Sequence, residues 1–283
     1  MNLDDNAYVV PTRFEYFIEF DVMAKIPIFQ VDAFSDEIFF GNPAAICPLG
    51  KDLTESQMQN IARENNLSET AFFCPNGKYF DLRWFTPNGE VELCGHATMA
   101  TAFVIFNFID GNKDKIIFKS LSGDLVVQKS GDLFKMDFPA QNPVKCELPK
   151  LLVKGLGAKP EACLLNEDYI AVFKSEKDLS LIKPDYKSLS MLDSRGVIIT
   201  APGNKYDFVS RAFFPKYGIL EDPVTGSAYT KLIPYWYDRT GIKKFKSKQI
   251  SERGGEIFCE YEYKRVRISG YARLYMKGEI LIS

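Results

Sequence analysis

The sequence predicts a mixed α/β (α+β) protein of two similar domains, each a curved, mostly antiparallel sheet wrapped around one central helix. Segments with strand-like alternation outnumber helical ones along the chain, and only two long helical stretches are apolar enough to be buried. Those two stretches begin alike. Cys94-Gly95-His96-Ala97 opens the first and Thr225-Gly226-Ser227-Ala228 the second, 131 residues later. A repeat of helix starts within the same strand–helix–strand order points to a duplicated architectural unit.

Residues 1–22 match no periodic element that leads into the next segment, and read as a leader or tag-like extension. From Met23, Ile26 to Phe34 alternates as a half-buried strand, and Gly41-Asn42-Pro43 turns the chain into a strand from Ala44 to Leu49. Thr54-Glu55-Ser56-Gln57 fits a capping box ahead of Met58, Ile61 and Ala62 at helical spacing, ending near Asn65-Asn66. Strands follow over Ser68 to Cys74 and through Phe80, Leu82 and Trp84, then a turn at Pro87-Asn88-Gly89. Ala97 to Phe108 is the first buried helix, and short strands resume through Phe138.

The stretch from Pro139 to Pro149 is rich in proline and polar residues and reads as a junction. It separates an N-terminal domain, residues 23–139, from a C-terminal domain, residues 140–271, with the last strand, about 272–283, completing the first. The second half predicts strands at Tyr169 to Phe173, Val197 to Ala201 and Phe208 to Phe213. A helix from Ala228 to Arg239 then stops at Gly241. Lys243 to Lys248 reads as a solvated face and Arg253-Gly254-Gly255 as a turn, with strands at Glu256 to Tyr263, Val266 to Ser269 and Ala272 to Lys277.

Composition excludes several functions. The 283 residues carry 35 Lys plus Arg against 37 Asp plus Glu, a net charge of −2 that argues against nucleic acid as a partner. The single histidine, His96, excludes multi-histidine zinc and iron sites. The six cysteines include no CxxC and no close pair, which sets aside zinc ribbons and thioredoxin motifs. They are also sparse for a disulfide-built secreted domain, so a reducing, cytoplasmic location is the default. No apolar run approaches bilayer length, and the acidic N-terminus lacks the apolar core of a signal peptide.

Candidate site residues gather at the helix starts. Gly95 and Gly226 either let backbone N–H groups reach an anion, helped by the helix dipole, or simply permit tight packing. His96, at a helix N-terminus, is expected to be neutral, as a ligand contact or as a structural ring near a cap. Glu69 lies in an apolar strand-like segment. Burial there would suit an acid/base, whereas an exposed edge-strand position would be inert. Asp222 precedes proline and reads as a turn, a cap or a site residue, and Ser227 as a cap or a ligand contact.

Glu221-Asp222-Pro223-Val224-Thr225-Gly226-Ser227-Ala228, Cys94-Gly95-His96-Ala97-Thr98, Ser68-Glu69-Thr70-Ala71-Phe72 and Gly41-Asn42-Pro43-Ala44-Ala45 together resemble the phenazine-biosynthesis (PhzF-type) isomerase family. Pro234-Tyr235-Trp236 and Arg253-Gly254-Gly255-Glu256 extend the likeness, which runs from about Met23 to the C-terminus. The resemblance implies the diaminopimelate-epimerase-like fold, a homodimer, no metal and no organic cofactor. It also implies a small anionic, carboxylated substrate. Glu69 would shuttle the proton, His96, Asp222 and Ser227 would bind and polarise the substrate, and Gly95 and Gly226 would supply backbone donors.

Two positions depart from the pattern. Tyr229 stands where many members have a second histidine. The two-thiol epimerases of this fold hold a cysteine at each helix start, whereas here Cys94 occupies one such place and Thr225 the other, and a threonine hydroxyl is too weak an acid to replace a thiol. Paired-cysteine racemisation is therefore set aside, and Cys94 reads as a small buried residue. The expected function is cofactor-independent proton transfer by an isomerase-like enzyme. An epimerase or dehydratase of amino-acid-like substrates, and a ligand-binding or scaffold member of the family without turnover, are the alternatives.

Overall fold

A computed structural model describes residues 24–50 and 53–282; the extension read over residues 1–22 lies outside them. The strands form one continuous sheet path that contains the same pattern twice. One half runs through Leu133–Pro139, Gly123–Ser130, Lys115–Ser120, Tyr79–Thr86, Glu69–Asn76, Asn42–Pro48, Ala24–Ala33 and Ala272–Ile282. The other runs through Arg265–Gly270, Gly255–Glu262, Lys244–Gln249, Phe208–Phe213, Val197–Pro202, Tyr169–Val172, Ala162–Leu165 and Val144–Lys145. Taken in those orders, the third and fifth pairings of each half are parallel and all the others antiparallel. The halves join edge to edge where Arg265–Gly270 pairs with Leu133–Pro139.

Each half curls around one of the two buried helices. Gly95–Val104 is buried almost all round and packs on the strands of its own half. Its expected continuation to Phe108 changes character: Ile105–Ile109 is a π-helical turn, where the Asn107 side-chain amide donates to the Phe103 carbonyl at 2.7 Å. The second helix is Gly226–Thr240, closed by Gly241 at φ 72°. Pro234 inside it cannot donate to the carbonyl of Thr230. The N–H of Gln141, in the junction segment, takes that carbonyl at 3.0 Å instead, and the Thr230 hydroxyl donates back to Gln141 Oε1 at 2.6 Å.

Strand alternation sorts residues between faces. Ala44 and Ile46 face the central helix, while Ala45 and Cys47 turn outward to meet Met58, Ile61 and Ala62 of the helix Glu55–Asn65. That helix carries the expected capping box, with the Thr54 hydroxyl accepting from Gln57 N–H. Three further helices, Lys150–Leu156, Glu176–Ser180 and Tyr186–Ser190, were not anticipated; Leu152, Leu156, Leu179 and Leu189 seal the outer face of the second half. The lysine-rich run is a strand as well as a solvated face: Lys244 and Lys246 are exposed while Phe245 and Ser247 are buried.

Candidate active site

The two buried helices meet start to start. A Cβ built on Gly95 would lie 3.9 Å from Gly226 Cα, and one built on Gly226 would lie 3.8 Å from Phe34 Cζ. Those are ordinary contacts, so helix packing alone does not require glycine at either position. Glycine at both starts leaves no side chain between the two helix N-termini, which lie side by side with Gly226 itself buried.

Glu69 opens its strand between a parallel neighbour, Asn42–Pro48, and an antiparallel one, Tyr79–Thr86. It is therefore not on a sheet edge, and it is 9% exposed. Its Oε2 lies 3.1 Å from Nε2 of His96, the second residue of the Gly95–Val104 helix. Neither atom has any other partner among the described residues. The opposite ring nitrogen, Nδ1, faces Cys94 Sγ at 3.4 Å. Burial works against a charged ring, but the Cys94 sulfur and the Glu69 carboxylate outweigh it and hold His96 well above its ordinary value. The helix terminus, which alone favours a neutral ring, is opposed here by the carboxylate in contact with Nε2. Burial and Glu69 push the Cys94 thiol up, so Cys94 is buried as expected, yet it is also a contact of the imidazole.

Asp222 reaches the same cluster from the other half. Its Oδ1 accepts from Asn42 Nδ2 at 2.8 Å and its Oδ2 from the Thr225 hydroxyl at 2.5 Å. Burial raises its carboxyl to about 6, against the lowering influence of His96. Asn42, fully buried, spends its second amide hydrogen on the Val224 carbonyl at 2.9 Å and sits 3.3 Å from His96 Nδ1. Its Oδ1 has no hydrogen-bond partner among the described residues. Gln249 locks the loop from below, donating to the Asp222 carbonyl at 2.7 Å and accepting from Thr225 N–H at 2.9 Å.

Ser227 is turned toward a different group. Its hydroxyl accepts from Arg195 Nη2 at 3.2 Å, and it caps no helix. Arg195 is held by a bidentate pair with the fully buried Asp168, at 2.8 and 2.6 Å. Asp168 in turn meets Lys231 Nζ at 3.0 Å, one helical turn beyond Ser227 and also fully buried. Tyr229 lies away from this cluster, in the core against Phe208, with its hydroxyl 3.2 Å from Ser210 Oγ.

The structure therefore brings Glu69, His96 and Asp222 into one connected cluster, sets Gly95 beside Gly226, and places Ser227 on an arginine. Sequence reasoning passed over Asn42, Gln249, Arg195, Asp168 and Lys231. Only Lys231 left a local signal, as a cation on the buried face of a helix between Tyr229 and Leu232. Glu69, Cys94 and His96 are also the metal-ligating group drawn together among the described residues, with ligand atoms within 4.8 Å of one another. Sulfur and carboxylate face different ring nitrogens, so one ion could take all three only if the imidazole turned.

Solved structures share this architecture. A PhzF-family phenazine biosynthesis protein from Enterococcus faecalis superposes with a TM-score of 0.89 at 47% identity, covering 91% of this chain and 99% of that one. A hydroxyproline epimerase from Agrobacterium vitis shares the fold alone, with a TM-score of 0.60 at 9% identity over 91% of this chain and 92% of its own. Among curated relatives, an uncharacterized isomerase of Pseudomonas aeruginosa is 46% identical over 256 residues, 90% of this chain and 99% of its own length. The class is thus an isomerase on an epimerase-like fold. The description of the PhzC-PhzF family, phenazine biosynthesis-like protein, matches residues 31–278, and the chain belongs to that family.

Proposed function

We propose that the chain moves a proton within a small carboxylated substrate, with Glu69 as the acid/base. The observation that carries this reading is the buried Glu69–His96 pair at the meeting of the two glycine-bearing helix starts, whose facing atoms have no other partner among the described residues. Glu69 takes a proton from a substrate carbon, and the C–H electron pair becomes a new double bond as the original one shifts. The protonated Glu69 then returns the proton to a second carbon on the same face. Gly95 and Gly226 offer backbone N–H groups to the carboxylate, while His96, Asp222 and Ser227 orient the substrate and steady the charge that develops. Thr225 commits its hydroxyl to Asp222, which supports one base rather than two opposed ones.

The same reading takes residues 23–139 with about 272–283 as one domain and residues 140–271 as the other. It is supported by the pairing of Ala272–Ile282 along the whole of Ala24–Ala33. Operation without a cofactor, as a homodimer, rests on the family resemblance, and a cytoplasmic location on the cysteine pattern. The mechanism is tested by NMR in D2O with a panel of small cyclic and amino-acid-derived carboxylates. Wild-type protein is expected to introduce deuterium into the substrate it accepts, and Glu69→Gln to abolish that exchange. Undiminished exchange in the variant overturns the assignment.

A further inference from the structure

The cysteines are scattered in sequence, yet folding brings two of them together. Cys146 follows the strand Val144–Lys145, and Cys163 lies in Ala162–Leu165, its antiparallel partner. The register, Leu165 opposite Val144 and Leu164 opposite Lys145, carries on to set Cys163 opposite Cys146. Cys146 N–H donates to the Cys163 carbonyl at 3.1 Å, and the two sulfurs stand 3.4 Å apart. Directly opposed residues joined by such a bond have Cα atoms about 5.5 Å apart, inside the ~4.4–6.8 Å that a disulfide spans. Closing the sulfurs to about 2 Å takes side-chain rotation, not a new backbone path.

The two thiols are also unlike each other. Cys163 is 7% exposed and its thiol is pushed up to about 12 by burial and by the neighbouring Cys146 sulfur. Cys146 is only half-buried, so a reagent reaches it first. Cys47 and Cys259, by contrast, are raised by burial alone, and Cys94 faces His96.

We propose that Cys146 and Cys163 form a reversible redox modification site, which a low-molecular-weight disulfide oxidises to an intramolecular bond. The Cys146 thiolate attacks one sulfur of the reagent, making a mixed disulfide and releasing one reagent thiolate. Cys163, giving up its proton to solvent, then attacks the Cys146 sulfur and expels the second thiolate. Two thiol protons are lost, and two electrons reduce the reagent disulfide to two thiols. The bond fastens the junction segment to the hairpin whose tip carries Asp168, enclosing the helix Lys150–Leu156.

The test incubates the folded full chain with oxidised glutathione, alkylates the remaining thiols, and digests with trypsin without reduction. Peptides 146–150 and 155–174 should appear joined, lighter than their sum by two hydrogens, and separate again after dithiothreitol. In Cys163→Ser, Cys146 should keep its glutathione, because the resolving thiol is gone. The proposal is overturned if both cysteines stay alkylatable in the wild type or if either pairs elsewhere. Glutathione stable on wild-type Cys146, or an unmodified Cys146 in Cys163→Ser, overturns it equally.

Discussion

The Asp168 network makes an unequal-cost prediction. Asp168 is fully buried and holds two cations: Arg195 through two bonds at 2.8 and 2.6 Å, and Lys231 at 3.0 Å. Arg195 is one-third exposed, with water within reach, whereas Lys231 is wholly buried and its other partner is Glu167 at 3.3 Å, itself more than half exposed. Asp168→Asn keeps the volume, deletes the charge, and leaves the buried ammonium only the half-exposed Glu167. Removing one member of a buried pair costs about 3–5 kcal/mol. Lys231→Met removes the ammonium, fills its place with a stem of similar length, and leaves Asp168 its bidentate arginine, so its cost is about 1–2 kcal/mol. The double variant has no buried cation left and should recover about 1–2 kcal/mol relative to Asp168→Asn alone. Urea unfolding at neutral pH, followed through the buried Trp84 and Trp236, measures all three. The reasoning is refuted if Lys231→Met costs as much as Asp168→Asn, or if the double variant is the least stable.

Two other perturbations follow from single contacts. In 13C-labelled protein the Asp222 carboxyl should titrate near 6, because burial favours its neutral form. The sign is that of a raised carboxylate: the native state holds the proton more tightly than the unfolded chain, so this group's contribution falls as pH climbs from about 4 to about 6 and is level above that. A midpoint at or below 4 contradicts the burial argument. Gly255→Ala places a Cβ 2.5 Å from Val224 Cγ2 and 2.8 Å from the Phe34 carbonyl oxygen, the acceptor of Glu256 N–H. That overpacking should cost about 1–3 kcal/mol in a thermal melt; an unchanged melting temperature removes the steric claim.

How much was legible beforehand follows from the range of each interaction. The capping box at Thr54, the two buried helices and the glycine stop at Gly241 are signals within one or two turns, and each was readable. The helices Glu176–Ser180 and Tyr186–Ser190 span five residues each, too short for a helical period to show. Glu69 illustrates the harder limit. Whether its strand is central or at an edge depends on Asn42–Pro48 passing on one side and Tyr79–Thr86 on the other, which no local pattern encodes. Asn42 was read as a turn residue because glycine and proline flank it, yet it opens a strand, donates to Asp222 of the other half and lies 3.3 Å from the ring of His96. Arg195 and Asp168 are 27 residues apart and meet only through the pairing of two strands.

The duplicated helix starts have diverged in a way that bears on the chemistry. Cys94 and Thr225 both occupy the N-cap, and neither makes a side-chain cap bond to its own helix. Cys94 turns its sulfur to His96, and Thr225 turns its hydroxyl to Asp222, so each start places a small side chain against one titratable group. A thiol beside an imidazole and a hydroxyl beside a carboxylate are not interchangeable. The first pair can share a proton, while the second can only hold the carboxylate in place, because the hydroxyl is far the weaker acid. The first half thus sets Glu69, His96 and Cys94 in direct line, and the second half presents the Asp222 carboxyl held by Thr225 and Ser227 on its arginine. Under the proposed reading, this asymmetry sets the acid/base on one side and anchoring groups on the other. That arrangement favours returning a proton to the face it came from over delivering one from the opposite face.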